Sequence, residues 1–327
     1  MSEAYSYRVR GFYGRIPSEP HSLTERVTPT KDCIVLCHLG VLDVDNGDAW
    51  ELEIGGMVAR PTSFTVQQIK ALPKSMITSV HQCAGSPLAP DNPTQRVCNV
   101  NWAGVRLDHV LQLVQPDREA TFAWSIAADS GMFGGVECGR YTKDLPLSRV
   151  AKDVLLAYEM NGEPLLPEHG FPLRLVVPGF YGTNSVKWLR KIELRSERAP
   201  GPFTTRWYND PAPDGSMRPV WGIAPQSVIV WPKPDAALKE GSIVQAWGWA
   251  WADDGISAVE ISSDDGRTWQ TCRLERSAGH AWIRFECDWK VEAGRQSITS
   301  RATSHSGERQ PDSGCRNSLY HVPLAIV

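Results

Sequence analysis

The stretch Val154-Leu-Leu-Ala-Tyr158-Glu-Met160-Asn161-Gly162 carries the clearest fold signal in this chain of 327 residues. An apolar run of this length that ends in a turn signal predicts a buried β-strand. The dipeptide Asn161-Gly162 is the strongest short sequence signal for a tight hairpin turn, because both residues tolerate positive φ. The sequence therefore predicts a β-hairpin here.

The flanking segments add both helices and strands. Apolar residues at helical spacing predict helices over Thr65–Leu72 and Leu107–Val114, the first opened by a capping box between Thr65 and Gln68. Ala49–Ile54 and Leu173–Val177 have the patterns of short strands. The N-terminal part is therefore predicted to be a mixed α+β domain.

The C-terminal part has a different pattern. Residues 200–225 are rich in proline, which predicts a connecting stretch with little regular structure. Beyond them, Ile243–Trp251, Trp282–Trp289 and Ser297–Thr303 read as strands, and Asp264-Asp265-Gly266 reads as a hairpin turn. Strands at this spacing predict an all-β sandwich of immunoglobulin type. Because the length also favours two domains, we expect one domain over residues 1–205 and another over residues 215–327.

Composition and charge exclude several classes of protein. The chain has 34 Lys and Arg against 37 Asp and Glu, a formal charge of −3, which gives no electrostatic case for a nucleic-acid partner. No apolar run is long enough to span a membrane. The first ten residues lack the apolar core of a secretory signal, so we expect a cytoplasmic protein, or a periplasmic one if a signal has been removed. The eight cysteines are then expected to be mostly reduced, buried thiols.

The common catalytic motifs are missing, and the informative segment is Ser79-Val-His-Gln-Cys83-Ala-Gly-Ser-Pro-Leu88. A cysteine that opens a glycine-containing loop after an apolar strand can direct its thiolate into a cavity. A thiolate is a soft donor that suits a transition metal. The alternative is that Cys83 is a small core hydrophobe. Cys33, Cys37 and His38 lack the second half-site that a zinc centre needs.

Several segments in a fixed order carry a family resemblance. They are Gln82-Cys83-Ala-Gly85, Asn101-Trp102-Ala-Gly104-Val105-Arg-Leu107, Leu155-Leu-Ala-Tyr158-Glu-Met160-Asn161-Gly162-Glu-Pro164-Leu165, His169-Gly170-Phe171-Pro172-Leu-Arg174, Ser185-Val-Lys187-Trp188-Leu189 and Val259-Glu-Ile261-Ser-Ser-Asp264-Asp-Gly266-Arg-Thr268-Trp269. Together they resemble the sulfite oxidase family, from about residue 30 to the end of the chain.

This resemblance implies a fold, a cofactor and a reaction. The fold is a sulfite-oxidase-type mixed α/β molybdopterin domain followed by an immunoglobulin-like dimerisation domain, so a homodimer is expected. The cofactor is molybdenum bound to molybdopterin, with Cys83 as the only protein ligand to the metal. The reaction is oxygen-atom transfer, in which the cofactor supplies the difficult chemistry.

The resemblance also implies roles for individual residues. It assigns pterin and phosphate binding to the residues His38, Tyr141, His169, Arg174, Gly182, Ser185 and Lys187. It places Tyr208 in the substrate pocket. A phosphate needs cations and donors, and the turn Gly182-Thr183-Asn184-Ser185 has amides that could cradle an oxyanion.

Each assignment has a structural alternative. Arg174 could form a surface salt bridge, and Lys187 could lie at a solvated strand end. His38 and His169 could be structural histidines, the latter bonded to its own turn. Tyr208 could simply pack beside Trp207.

The chain departs from the family pattern where sulfite-oxidising relatives carry substrate-binding arginines. Leu36 and Cys37 precede His38, and Ser86, Pro87 and Leu88 follow the cysteine loop. An oxyanion without those cations loses charge-assisted hydrogen bonds worth about 1.5–3 kcal/mol each. Arg96, Arg140 and Arg206 are candidates to replace them. The substrate therefore stays open between sulfite and a less charged sulfur compound.

Electrons that leave the metal need an acceptor. The chain has neither a His-Pro-Gly-Gly block nor a Cys-x-x-Cys-His heme motif, so we expect a heme-free enzyme that passes electrons to a separate carrier or to oxygen. Two other functions stay open at this point. One is a reductase of oxidised sulfur compounds, and the other is a cofactor-binding scaffold without turnover.

Overall fold

Extended strands make up most of the regular structure in the computed structural model of the chain. It describes residues 5–15, 19–85, 96–212, 214–276, 279–294, 297–314 and 316–327. The substituted positions Ser86, Pro87 and Leu88, and also Cys315, lie outside the described residues.

The elements are numbered in chain order. The strands are β1 (Tyr5–Arg10), β2 (Tyr13–Gly14), β3 (Leu36–Cys37), β4 (Gly40–Val44), β5 (Glu51–Gly56), β6 (Thr62–Thr65), β7 (Lys74–Gln82), β8 (Val97–Arg106), β9 (Phe122–Phe133), β10 (Val136–Pro146), β11 (Leu155–Met160), β12 (Glu163–Pro164), β13 (Arg174–Val176), β14 (Leu189–Arg195), β15 (Asn209–Pro211), β16 (Met217–Pro219), β17 (Gln226–Trp231), β18 (Ala237–Leu238), β19 (Ile243–Trp251), β20 (Ile256–Ser262), β21 (Gln270–Thr271), β22 (Arg273–Leu274), β23 (Ile283–Lys290), β24 (Ser297–Ser304), β25 (Val322–Pro323) and β26 (Ala325–Ile326). The α-helices are α1 (Val66–Lys70), α2 (Leu107–Val114), α3 (Leu147–Val150) and α4 (Pro202–Thr205). The 3-10 helices are Pro20–Ser22, Thr30–Asp32, Pro167–His169 and Gly182–Asn184.

The chain divides into two units that are each discontinuous in sequence. The first unit contains residues 1–16, 34–77 and 101–221, and the second contains residues 17–33, 78–100 and 222–327. The predicted continuous domains 1–205 and 215–327 stay a prediction.

Two sheets organise the first unit. One is five-stranded and has the order β10-β9-β14-β5-β6, and in the other β11 pairs with β12, with β13 and with residues 102–106 of β8. Strands β14 and β5 are parallel. The side chains that these sheets bury include Trp50, Leu52, Ile54 and Leu156, which are fully buried.

The predicted hairpin forms as expected. Met160 pairs with Glu163, and the two turn residues between them, Asn161 and Gly162, have φ of 54° and 85°. On the other side of β11, Ala157 pairs with Gly104. A Cβ at Gly104 would lie 2.1 Å from the carbonyl oxygen of Leu156, so only glycine lets the two strands approach this closely.

Helices contribute less than the sequence pattern indicated. Helix α1 covers only five residues, although Thr65 and Gln68 form the predicted capping box. Helix α2 matches its prediction over Leu107–Val114. The mixed α+β description is not confirmed, because in the described residues both amphipathic runs are too short to build a helical layer. None of the helices there is long and apolar enough to cross a membrane.

The second unit is built from strands. Its two four-stranded sheets have the orders β17-β19-β23-β22 and β21-β20-β24-β25. On β23 the buried residues are Ile283, Phe285, Cys287 and Trp289, which alternate with more exposed ones as predicted. These side chains belong to the apolar core of this unit. The immunoglobulin-type topology itself stays a prediction.

Candidate active site

Cys83 lies in the second unit, directly after β7. The preceding residue, Gln82, is completely buried and fixes the end of that strand. Its side-chain amide nitrogen donates to Gln226 Oε1 (2.9 Å) and Asn317 Oδ1 (3.1 Å), and its Oε1 accepts from Trp251 Nε1 (2.8 Å). The backbone that presents Cys83 is therefore held by a buried polar network.

The sulfur of Cys83 accepts a hydrogen bond from its own loop. Gly85 N–H donates to Cys83 Sγ over 3.3 Å, and Cys83 N–H donates to Arg96 O over 2.9 Å. Burial raises the pKa of this thiol, while the Gly85 amide and the charges of Arg96 and Arg316 lower it. The amide and the two cations oppose the effect of burial on this half-buried sulfur, and sulfur is the soft donor that a transition metal binds.

In the first unit, His38 and Tyr208 form a close polar pair. Tyr208 Oη lies 2.6 Å from His38 Nε2. Tyr208 has φ of 61° and its carbonyl oxygen accepts from Val220 N–H, so an uncommon backbone conformation places this ring. Burial, with the charges of Lys187 and Lys143, lowers the pKa of His38 to about 4. His38 is therefore neutral at pH 7.

Aromatic rings surround His38. Tyr141 stacks on it with a centroid distance of 5.6 Å, and Phe133 and Phe203 meet it edge-on at 4.7 Å and 5.4 Å. Tyr141 Oη also donates to Thr183 O over 2.8 Å, which ties Tyr141 to the Gly182–Asn184 turn. The sequence-predicted residues His38, Tyr141 and Tyr208 thus lie together.

A second group of predicted site residues lies around the cationic side chains of Arg174 and Lys187. Arg174 is 2% exposed, which excludes the surface salt bridge that its sequence position allowed. Its guanidinium donates to His169 O (3.0 Å) and Ser185 O (3.1 Å). The Ser185 hydroxyl accepts from Val177 N–H, so this side chain also supports the turn.

Lys187 is half-buried and makes three contacts. Its Nζ donates to Leu36 O (3.0 Å), Glu168 O (3.0 Å) and Cys37 Sγ (2.7 Å). Burial raises the pKa of the Cys37 thiol, and Lys187 opposes that shift. The structure therefore places Lys187 next to Leu36 and Cys37, and not at a solvated strand end.

Sequence reasoning missed Lys143 and Asp129. Lys143 has the same strand parity as the buried Tyr141 and Leu145 on β10, and Asp129 has the parity of Ala127 on β9. The period of two along each strand was a usable signal for an inward charge. Lys143 is 1% exposed, and Asp129 is 3% exposed.

Asp129 gives a testable pH dependence. Burial raises the pKa of its carboxyl from 3.8 to about 7, against the opposing charge of Lys187. The folded state therefore keeps a proton that the unfolded state loses, so stability falls as pH rises between these values. We expect Asp129→Asn to unfold at higher urea concentration than the parent at pH 8, and the gap to close as pH falls toward 4. A parent protein more stable than the variant at pH 8 would contradict this.

The first unit contains polar atoms that fit a large heterocyclic ligand. Trp188 Nε1 and Asn184 Oδ1 are buried and have no hydrogen-bond partner within the described part of the chain. One is a donor and the other an acceptor, close in sequence to Lys187. A pterin offers both donors and acceptors, and its phosphate suits a cation, so these residues fit the implied cofactor.

Known protein families match both parts of the chain. The family model described as "Oxidoreductase molybdopterin binding domain" matches residues 38–203, and "Mo-co oxidoreductase dimerisation domain" matches residues 218–322. Mitochondrial sulfite oxidase of Rattus norvegicus is 30% identical over 325 residues, which cover 90% of this chain and 59% of that protein. Sulfite oxidase of Arabidopsis thaliana is 28% identical over 356 residues, with 94% and 90% covered.

A solved structure is also similar. The sulfane dehydrogenase SoxCD from Paracoccus pantotrophus has a TM-score of 0.80 and 27% identity, covering 95% of this chain and 80% of that chain. The chain thus spans just over half the length of the rat protein and most of the length of the plant protein.

Proposed function

The chain belongs to the sulfite oxidase family of molybdopterin-dependent oxidoreductases, and we propose that it oxidises a small sulfur compound by oxygen-atom transfer. The observation that carries this proposal is the cysteine loop. Cys83 follows a strand whose last residue is locked by three buried hydrogen bonds, and its sulfur accepts the Gly85 amide.

The residues that would hold the cofactor follow from the chemistry of their side chains. Cys83 would bind molybdenum through its thiolate. Arg174 and Lys187 supply positive charge for the phosphate, and His169 and Ser185 lie against Arg174. When bound, molybdenum–molybdopterin supplies the oxygen-atom transfer and takes up the two electrons.

Tyr208 and His38 are the proposed substrate-facing pair. Because His38 is neutral, its ring can share a proton with the Tyr208 hydroxyl without building up charge. The surrounding rings of Phe133, Tyr141 and Phe203 limit water around the pair. The hydroxyl is thereby oriented to hold a substrate oxygen by a hydrogen bond.

The substrate class is inferred from the named relatives and from the positions at which this chain differs from the family pattern. The named relatives are sulfite oxidases and a sulfane dehydrogenase, so a sulfur compound is proposed. Leu36 stands where sulfite-oxidising relatives have an arginine, and the loss of that cation weakens the case for sulfite alone. The proposal therefore extends to other sulfur compounds.

We also propose a homodimer, a separate electron carrier or oxygen as the electron acceptor, and a cytoplasmic or periplasmic location.

The test is a substrate screen on metal-loaded protein. We expect about one molybdenum and one pterin per chain, and oxidation of sulfite or another sulfur compound with an artificial electron acceptor. Reduction of sulfoxides is assayed in parallel with a reduced dye as electron donor. Turnover in that assay alone would mean that the enzyme is a reductase and not an oxidase. Full molybdenum with no turnover in either arm would indicate a scaffold. A heme Soret band would contradict the separate electron carrier.

A further inference from the structure

We propose that Lys143 supplies the positive charge that recognises an oxyanion at the Tyr208–His38 pair. This inference rests on the proposed function and adds to it a residue that the family motifs do not assign. It concerns the first unit alone.

Lys143 is a buried ammonium that forms no ion pair with the residues that the structure describes. Its Nζ donates to Phe203 O over 2.9 Å, and no carboxylate of the described residues lies within ion-pair distance of it. The adjacent Asp144 is held instead by Arg198, at 2.8 Å and 3.1 Å. Burying an unpaired charge costs several kcal/mol, so a retained one points to a function that needs it.

The charge lies beside the polar pair. Lys143 Nζ is 5.3 Å from the centroid of the Tyr208 ring, whose hydroxyl bonds to His38. The charge of Lys143 also contributes to the low pKa of His38. The rings of Phe133, Tyr141 and Phe203 around His38 keep the local dielectric low, so this charge is felt strongly at the Tyr208 hydroxyl.

Together these groups match an oxyanion. Tyr208 and Lys143 offer a donor and a positive charge, and His38 is neutral and adds no negative charge. A cationic ligand would be repelled, and an anionic one would gain a counter-charge that Lys143 lacks. Because Leu36 stands where sulfite-oxidising relatives have an arginine, Lys143 replaces a missing cation from a different strand.

The oxyanion can come from two sources with the same chemistry. One is the substrate, such as sulfite, and the other is the phosphate of the cofactor. Both would be weakened by removal of the Lys143 charge. If the oxyanion is the substrate, removing the Lys143 charge changes KM and inhibition by anions. If it is the cofactor phosphate, the same change lowers the amount of cofactor that the protein retains.

The same assignment predicts a pH dependence. Burial lowers the pKa of Lys143 to about 8, with Arg198 adding to the shift and Asp144 opposing it. The other groups that face Lys143 are Tyr208 and His38, and His38 stays neutral above pH 6. Oxyanion affinity is therefore expected to fall as pH rises through about 8, because the ammonium loses its proton.

The experiment compares Lys143→Met with Lys143→Arg and with the control Lys191→Met, which removes a half-buried lysine of β14 that already has Glu53 and Glu193 as counter-charges. Sulfate binding to each purified protein is measured by calorimetry at pH 7 and pH 9, together with molybdenum and pterin content. KM and kcat for the sulfur substrate are measured on the loaded proteins. For Lys143→Met we expect at least about a tenfold loss of sulfate affinity or a tenfold rise in KM, with kcat changed less.

The outcomes separate the possible failures. Lys143→Arg should recover most of the sulfate affinity, and Lys191→Met should match the parent. Loss of cofactor with unchanged sulfate affinity supports the phosphate as the oxyanion. If Lys143→Met leaves sulfate affinity, KM and cofactor content unchanged, the inference is overturned. If Lys143→Met does not fold, Lys143→Gln takes its place. Sulfate binding can be measured without turnover. A parent protein without activity would therefore contradict the proposed function, while the role of Lys143 in oxyanion binding could still be tested.

Discussion

Replacement of Cys83 by serine is expected to reduce turnover by at least about 1,000-fold while the chain stays folded. The reason is the ligand chemistry, since a serine hydroxyl is a harder donor and is not ionised at neutral pH. The sulfur already accepts the Gly85 amide, and oxygen can accept the same bond. Turnover is measured with the best sulfur substrate, and X-ray absorption should count one sulfur ligand fewer on molybdenum.

The matched control is Cys98→Ser. Cys98 is a buried thiol on β8, and its Sγ contacts His81 O over 3.8 Å. It belongs to the same unit as Cys83 and has no proposed metal role. We expect this variant to keep turnover within about threefold of the parent after correction for molybdenum content. Full turnover in Cys83→Ser, or equal losses in both variants, would remove Cys83 as the metal ligand.

Local patterns predicted the elements that depend on local physics. The hairpin at Asn161-Gly162 follows from the positive φ of its turn, and the Thr65–Gln68 capping box follows from side-chain reach. Strand β23 follows from its alternating burial. In each case the information lies within a few consecutive residues, so the sequence alone was sufficient.

Features that depend on distant contacts are not visible in local patterns. Residues 17–33 and 78–100 group with residues 222–327 in the second unit, which no local pattern indicates, and the predicted domains 1–205 and 215–327 stay a prediction. The proline-rich stretch 200–225 is predicted to have little regular structure, and its described residues contain only short elements: α4, β15 and β16 are each at most four residues long.

The candidate site also combines residues that the sequence indicated and residues that it did not. The order of the family motifs indicated His38, Tyr141 and Tyr208, and in the structure the rings of Tyr141 and Tyr208 contact His38. Lys143 has no motif, and lysine is rarely buried, so composition argued against it. The proposal for Lys143 depends on its burial and on its hydrogen bond to Phe203 O, which only the three-dimensional structure shows.

Tyr208→Phe should lower kcat by about 100-fold, with a smaller change in KM. The substitution removes only the hydroxyl that lies 2.6 Å from His38 Nε2 and keeps the ring beside Lys143. If the hydroxyl holds the substrate oxygen during transfer, its loss acts mainly on the chemical step. The loss should also shift the pH profile of kcat, because His38 then loses its hydrogen-bond partner.

Tyr7→Phe is the control for a lost tyrosine hydroxyl. The Tyr7 hydroxyl also makes a specific contact, donating to Ser130 O over 3.0 Å, but at an exposed position. We expect its kinetics to match the parent. A Tyr208→Phe protein with parental kcat and pH profile would mean that Tyr208 only packs beside Trp207, the structural alternative that its sequence position allowed. A parental kcat with a raised KM would instead assign the hydroxyl to substrate binding alone.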